Sequence, residues 1–512
     1  MLACCRSATT VGIDAFQVEV EVDLNHGLPR YFLVGLPDRA IHESRDRIES
    51  ALRQCHQSFP RGRIIVNLAP VDLPKVGSSF DLPIAIGLLA ADRKISTERL
   101  DQTLFAGELS LDGRLRPVKG VLSMAQLAKD RGHRWLVVPE ANGAEASAVD
   151  GICVLPCPTL GSVLDWVNGR PLAALPHPPK ESARGKQAES YPDFRDVAGQ
   201  ESVKRALEVA AAGGHNVLMV GPPGSGKTMM ARRLPGILPP MSREEAVETT
   251  QIHSVAGRMP PGVSLLADRP FRSPHHTVTD VSLVGGSRIP IPGEISLANH
   301  GILFLDELPE FRRRTLDLLR QPMEDGYVEI SRARYRVQYP SRVMLVASMN
   351  PSPQGGWPGG DQTGVTDAEM RKYLSRISGP LMDRIDMHVE VTAVEYEELK
   401  GGVGVESSTE IRSRVIQARQ KQVLRFQGVP GIYCNAQMNR KELRAHTRRT
   451  PDAESRLGEA MKKNNLSARA YDRILKMART VADLDGKDRI SKSHIYEAIR
   501  YRVLDRSDWW SL

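Results

Sequence analysis

No stretch of the 512 residues is apolar for long enough to cross a bilayer. The longest, DLPIAIGLLAA at 81–91, falls well short of the roughly 20 residues that a spanning helix needs. The chain also lacks paired cysteines: its six stand at 4, 5, 55, 153, 157 and 434, without a CxxC spacing. That excludes a disulfide frame and a cysteine zinc site as organising devices. The opening MLACCRSATT has no apolar core of a secretory signal, so the expectation is a cytoplasmic protein that does not engage membrane. No internal repeat is visible, and no groove-reading motif for sequence-specific DNA binding occurs. Negative charge is scarce at one end. Residues 401–512 hold 23 Lys and Arg against 13 Asp and Glu, while the whole chain is only +8. A basic lobe of this kind suits a polyanion, although a solvated face is the plainer reading.

What is present divides the length into several domains. Residues 1–170 alternate strand and helix signals, with Val18, Val20, Val22 and Leu24 in period two and apolar runs at 63–70 and 134–139. Asp112-Gly113 predicts a tight hairpin, and helical patterns fall near 38–55, 81–92, 119–131 and 159–168. Residues 171–192, rich in Pro and polar residues, read as a linker. An α/β pattern returns over 193–395, and 396–512 read as a basic helical domain.

GPPGSGKT follows the apolar strand NVLMV (216–220) and precedes a helical stretch. Gly221, Pro222, Pro223, Gly224, Ser225 and Gly226 form a loop whose amides can wrap phosphates; Lys227 reaches the outer phosphates and Thr228 holds Mg²⁺. ILFLDE (302–307) supplies the other half. Four apolar residues predict a central strand, with Asp306 in the Mg²⁺ shell and Glu307 orienting and deprotonating the attacking water. Asn350 ends the apolar strand RVMLVASMN, as a water-positioning amide or as a strand-end cap. Arg384, between a helix and a strand, belongs at a domain edge. It is either a finger for a neighbouring subunit's phosphates or a partner of Asp383 or Asp386. His275 and His276 are adjacent and expected to diverge in extended chain, so no shared metal is expected.

GPPGSGKT, ILFLDE, SMNP and LMDRID in this order resemble the AAA+ ATPases. FRSPHHTVTDVSLVGG and PGEISLANHGILFLDELPEF, within 271–311, are similar to the magnesium-chelatase-like branch and to its ComM/YifB group. The resemblance covers nearly the whole chain. It implies an ATP- and Mg²⁺-dependent ATPase working as a homo-hexameric ring, with Arg469 as the second sensor on a helical lid. It further implies branch migration on single-stranded, duplex and branched DNA during natural transformation, alongside other recombination proteins. The alternative it leaves open is a chelatase-like motor that remodels a protein partner. A hairpin lining the ring's pore is implied over 326–340, with Arg332, Arg334 and Arg336 as DNA contacts. Many relatives follow MNP with a cysteine-rich loop; here Ser352 and Gln354 stand at cysteine positions.

PKVGSSFDLPIAIG (74–87) and GELSLDGRLRPVKG (107–120) resemble the Lon-protease fold. Ser79 falls at the nucleophile position, but the lysine position is Leu122 and Lys119 is offset by three residues. A serine without its base is a poor nucleophile, so proteolysis is not expected. The fold class that follows is α/β multidomain: a Lon-like N-terminal domain, an AAA+ P-loop domain and a helical lid.

Overall fold

The computed structural model describes residues 1–172, 191–287, 290–332, 335–357, 365–393, 406–429, 431–463, 466–502 and 504. The linker expected at 171–192 and the boundary at 395/396 therefore lie largely outside the described residues. The architecture is mixed α/β: an N-terminal sheet, then a parallel sheet, then helices. No helix among the described residues is long and apolar enough to cross a membrane.

The N-terminal sheet has seven strands, side by side in the order 30–34, 63–69, 14–25, 2–11, 103–105, 135–139 and 153–157. Strand Asp14–Asn25 alternates: Val18, Val20 and Val22 are buried while the glutamates between them are not. That face closes on helix Asp81–Ala91, every residue of which is buried. The longest apolar run of the chain is thus a core helix, covered on all sides. The opposite face packs Leu104, Leu136 and Val138 under helix Val121–Asp130.

Five parallel strands form the second sheet, in spatial order Phe271–Arg272, Ile302–Leu305, Met344–Met349, Val217–Val220, Met387–Glu390. All four residues of 217–220 and of 302–305 are buried, as expected for a sheet covered on both faces. Val217, Met219, Ile302 and Phe304 face a core shared with helices Glu201–Gly213, Ser408–Arg425 and Ala468–Leu484. Leu218, Val220, Leu303 and Leu305 face a second core on the other side. The helical C-terminal region therefore shares its core with one face of the sheet. The first strand in sequence lies between the fourth and the fifth, so chain direction diverges beside it, where open α/β sheets leave a crevice at the carboxyl ends.

Between Ile302–Leu305 and Met344–Met349 the chain inserts the expected hairpin. Tyr327–Arg332 and Tyr335–Pro340 pair antiparallel, from Tyr327 opposite Pro340 to Arg332 opposite Tyr335. Val328, Ile330, Val337 and Tyr339 are buried in the second core, so one face of the hairpin is anchored. The N-terminal domain touches the same element. Val11 and Ile13 reach that core, and Gly12 between them, at φ +69°, lies against Val337. The two domains also meet through Gly120, whose N–H donates to the Ser254 carbonyl at 3.3 Å, and through the Ser254 hydroxyl, which donates to Glu145. Burial pushes the Glu145 carboxyl above its usual range.

The segment after residue 380 is pinned from both sides. Asn216 donates its backbone N–H to Asp386 at 3.1 Å and its side-chain amide to the Arg384 carbonyl at 3.1 Å. From the helical region, Arg473 donates to the Ile385 carbonyl at 3.1 Å and Arg502 to the same oxygen at 2.8 Å. Burial alone would raise the Asp386 carboxyl; His215, Arg473 and Lys476 outweigh it and hold the pKa at about 2. A carboxylate depressed below its unfolded value of roughly 3.9 stabilises the fold above that pH and loses the contribution as pH falls toward 2. Asp386→Asn should therefore cost about 2 kcal/mol at pH 7. The gap in urea midpoint between parent and variant should be about half as large at pH 3 as at pH 7; an equal gap at both pH values would sink this assignment.

Candidate active site

The loop from Gly221 to Thr228 leaves the carboxyl end of strand Val217–Val220 and enters helix Lys227–Arg233. Gly221 has no room for a side chain, since a Cβ there would come within 2.1 Å of the Val391 carbonyl oxygen. Gly224 and Gly226 take left-handed conformations, at φ +78° and +89°, which most L-residues avoid. Lys227 folds back into the loop: its ammonium donates to the carbonyls of Gly221 at 2.6 Å and Pro222 at 2.8 Å, and to Asn350 Oδ1 at 3.2 Å. Burial lowers its pKa, against the opposing pull of Asp306 and Glu307.

Opposite the loop, Thr228 Oγ1 donates to Asp306 Oδ2 at 2.7 Å, and the Ser348 hydroxyl donates to Asp306 Oδ1. Glu307 is exposed and sits at φ +53°, a left-handed conformation that costs an L-residue roughly 1–2 kcal/mol. Its backbone N–H offsets that strain by donating to Asp306 Oδ1 at 3.1 Å and Ser348 Oγ at 3.3 Å. The turn sets the Glu307 carboxylate apart from Asp306, which Thr228 and Ser348 hold. Ser348 went unnoticed in the sequence; its only signal is a small polar residue inside the apolar strand RVMLVASMN. Asn350 is joined to its surroundings a second time, its carbonyl accepting from Tyr373 at 3.1 Å.

These residues fit a magnesium nucleotide. Ser225 Oγ, buried in the loop, has no hydrogen-bond partner among the described residues, so an acceptor oxygen there would satisfy it. A Cβ at Gly224 would meet nothing within 4 Å, which leaves that side of the loop open. Thr228 and Asp306 are the hard oxygen donors that Mg²⁺ takes. Bound there, the ion would draw charge from the phosphate oxygens.

Two sequence-expected arginines stand elsewhere. The Arg384 guanidinium donates to Glu324 and to the Pro380 carbonyl, so neither Asp383 nor Asp386 is its partner. Glu324 lies on helix Arg320–Asp325, which leads into the hairpin. Arg469 donates to Asp383 at 2.9 Å rather than to a group of the phosphate loop. On the hairpin, Arg336 is exposed and pairs with Glu329 on the facing strand at 3.0 Å. Arg332 stands at the end of its strand, and Arg334 lies outside the described residues. The histidine pair corrects one expectation: the chain turns at 275–278, where Val278 N–H donates to the His275 carbonyl, and the rings lie 4.0 Å apart instead of diverging.

In the N-terminal domain, Leu122 is buried and its N–H donates to Glu145 Oε1 at 3.0 Å. Lys119 runs its alkyl chain against Gly257 of the second domain, where a Cβ would come within 2.6 Å of Lys119 Cε. Leu122 carries no amine, and Lys119 makes no hydrogen bond to Ser79 among the described residues.

Residues 193–399 match the family described as magnesium chelatase, subunit ChlI. Residues 20–142 match subunit ChlI of Mg-chelatase, and 405–502 match the subunit ChlI C-terminal family. Competence protein ComM of Haemophilus influenzae is 43% identical over 509 residues, covering 99% of this chain and 98% of that protein. YifB of Escherichia coli, an uncharacterized protein, is 42% identical over 506 residues, covering 99% and 98%. Magnesium-chelatase subunit ChlI of Guillardia theta is 24% identical over 269 residues, covering 44% of this chain and 70% of that one.

Proposed function

This chain belongs to the ComM/YifB group of the magnesium-chelatase-like AAA+ proteins, and from that premise we propose that it is an ATP-driven motor on DNA. ATP and Mg²⁺ bind between the phosphate loop and Asp306, and Glu307 activates water. Arg384 reaches the nucleotide of the next subunit in a hexameric ring, and Arg469 of the lid follows the nucleotide state. The ring moves branched DNA and extends heteroduplex during recombination of imported DNA.

One observation carries this reading: the hairpin Tyr327–Pro340 is inserted between the strand that ends in Asp306 and Glu307 and the strand that ends in Asn350. Those two strands are neighbours in the sheet. The chain thus joins the hairpin on one side to the strand of Asp306 and Glu307 and on the other to the strand of Asn350, both facing the phosphate loop. The hairpin's outer face carries Arg336 and its first strand ends at Arg332, while Arg334 follows in the sequence; these are cations suited to a phosphate backbone. The basic C-terminal region supports the same substrate.

Steady-state ATPase rates with single-stranded, duplex and four-way-junction DNA test the reading, with Glu307→Gln as the blank. Strong stimulation is expected, greatest with junctions and weakened by salt. A rate indifferent to all three DNAs would favour a protein substrate, as for a chelatase motor.

A further inference from the structure

The helical C-terminal region contains a cleft that the nucleotide chemistry does not use. It measures about 680 Å³ and is lined by residues of the helices Arg440–His446, Pro451–Lys463 and Ala468–Leu484. Four arginines line it: Arg440, Arg444, Arg448 and Arg449. Arg440 and Arg444 are four apart on one helix and so share a face.

Their partners are few. Arg449 is tied to Glu454 and to the Thr447 carbonyl. Arg440 is 84% exposed, with the Asp472 carboxylate only at 4.0 Å. Arg444 and Arg448 are exposed, and their side chains make no ion pair or hydrogen bond among the described residues. Two carboxylates therefore face four guanidiniums. The floor is of a different kind: Leu443 and Leu475 are buried and Tyr471 is half-buried.

Guanidinium forks match phosphate oxygens and are weakly hydrated, so exposed unpaired ones meet a phosphate at little desolvation cost. The cleft has no glycine loop of the kind that wraps the phosphates of a free nucleotide. Separate side chains suit successive phosphates of a strand, and an aromatic floor suits a base.

We propose that this cleft is a docking groove for single-stranded nucleic acid, with Arg440, Arg444 and Arg448 on successive phosphates and Tyr471 against a base. The proposal rests on the DNA-motor reading and places a second grip on the strand, away from the hairpin.

The test uses the full chain carrying Arg444→Ala and Arg448→Ala together, with a fluorescein-labelled oligothymidylate followed by anisotropy over a salt series. The slope of log Kd against log salt should fall by about 1.4, at roughly 0.7 per lost phosphate contact, and affinity at low salt should fall with it. The ATPase rate without DNA should match the parent. Parental affinity and slope in the variant would overturn the groove while leaving the motor reading intact. Lost affinity at an unchanged slope, or a reduced DNA-free ATPase rate, would also overturn it by pointing to a structural role. Inorganic pyrophosphate should compete only weakly with the strand; full displacement from the parent at pyrophosphate concentrations no higher than the oligonucleotide's own Kd would make the cleft a free-phosphate site and overturn the groove. A parent that binds no oligonucleotide would sink both readings.

Discussion

Glu307→Gln should keep ATP bound and slow its hydrolysis by about 10²–10⁴-fold, the span that a general base commands. The Glu307 carboxylate has no ion pair or hydrogen bond among the described residues, so the amide breaks no contact of the fold. The backbone turn is held by the residue's own N–H, which glutamine retains. The phosphate loop, Lys227 and the Thr228–Asp306 bond are untouched. Binding of a fluorescent ATP analogue should therefore change by less than about 1.4 kcal/mol, or ten-fold, while single-turnover hydrolysis collapses. Lys227→Ala should do the reverse and lose nucleotide binding, because the loop's only buried ammonium is gone. Near-parental turnover in Glu307→Gln would remove the base from this residue and leave water activation to another group.

Arg384→Ala should lower kcat by about 10³–10⁵-fold, the range measured when an arginine finger is withdrawn. Such a change corresponds to roughly 4–7 kcal/mol in the barrier. The ion pair that occupies Arg384 is open at one end only: the Glu324 side chain is 57% exposed and that of Arg384 12%. Moving to a neighbour's phosphates exchanges one charge-assisted contact for another. Mixing decides whether the finger acts between subunits. Arg384→Ala subunits retain a complete loop, and Lys227→Ala subunits retain the arginine, so mixtures should recover activity that neither has alone. Recovery absent at every ratio would place Arg384 in its own subunit's site, and a fully active Arg384→Ala would remove the role altogether.

The parts of the site that were legible in the sequence are those in which neighbouring residues carry one local pattern. The glycine loop, the apolar strand ending in Asp306 and Glu307, and the hairpin between Tyr327 and Pro340 all belong to this kind. Contacts between residues far apart in the chain left no such trace. Ser348 reads as an interruption of an apolar strand until the sheet sets it beside Asp306. Glu324 reads as a helix surface residue until it meets Arg384. The first strand, Leu2–Val11, was also hidden, because Arg6, Ser7, Thr9 and Thr10 dilute its apolar pattern. It is nonetheless a central strand of the N-terminal sheet, and Thr9 satisfies its hydroxyl by donating to the Pro74 carbonyl at 2.9 Å. His275 and His276 were misjudged because extended chain was assumed where the backbone turns.

At the turn of the N-terminal hairpin, a methyl group added to Gly12 would lie 2.8 Å from Val337 Cγ1 and 3.4 Å from the Gln338 carbonyl oxygen. Glycine is thus the residue that lets the turn close down on the hairpin: any side chain at this position would have to push strand Tyr335–Pro340, or the turn itself, aside. The missing methyl acts as a fitting tolerance, and it sets how near the base of the hairpin can be seated to the N-terminal domain.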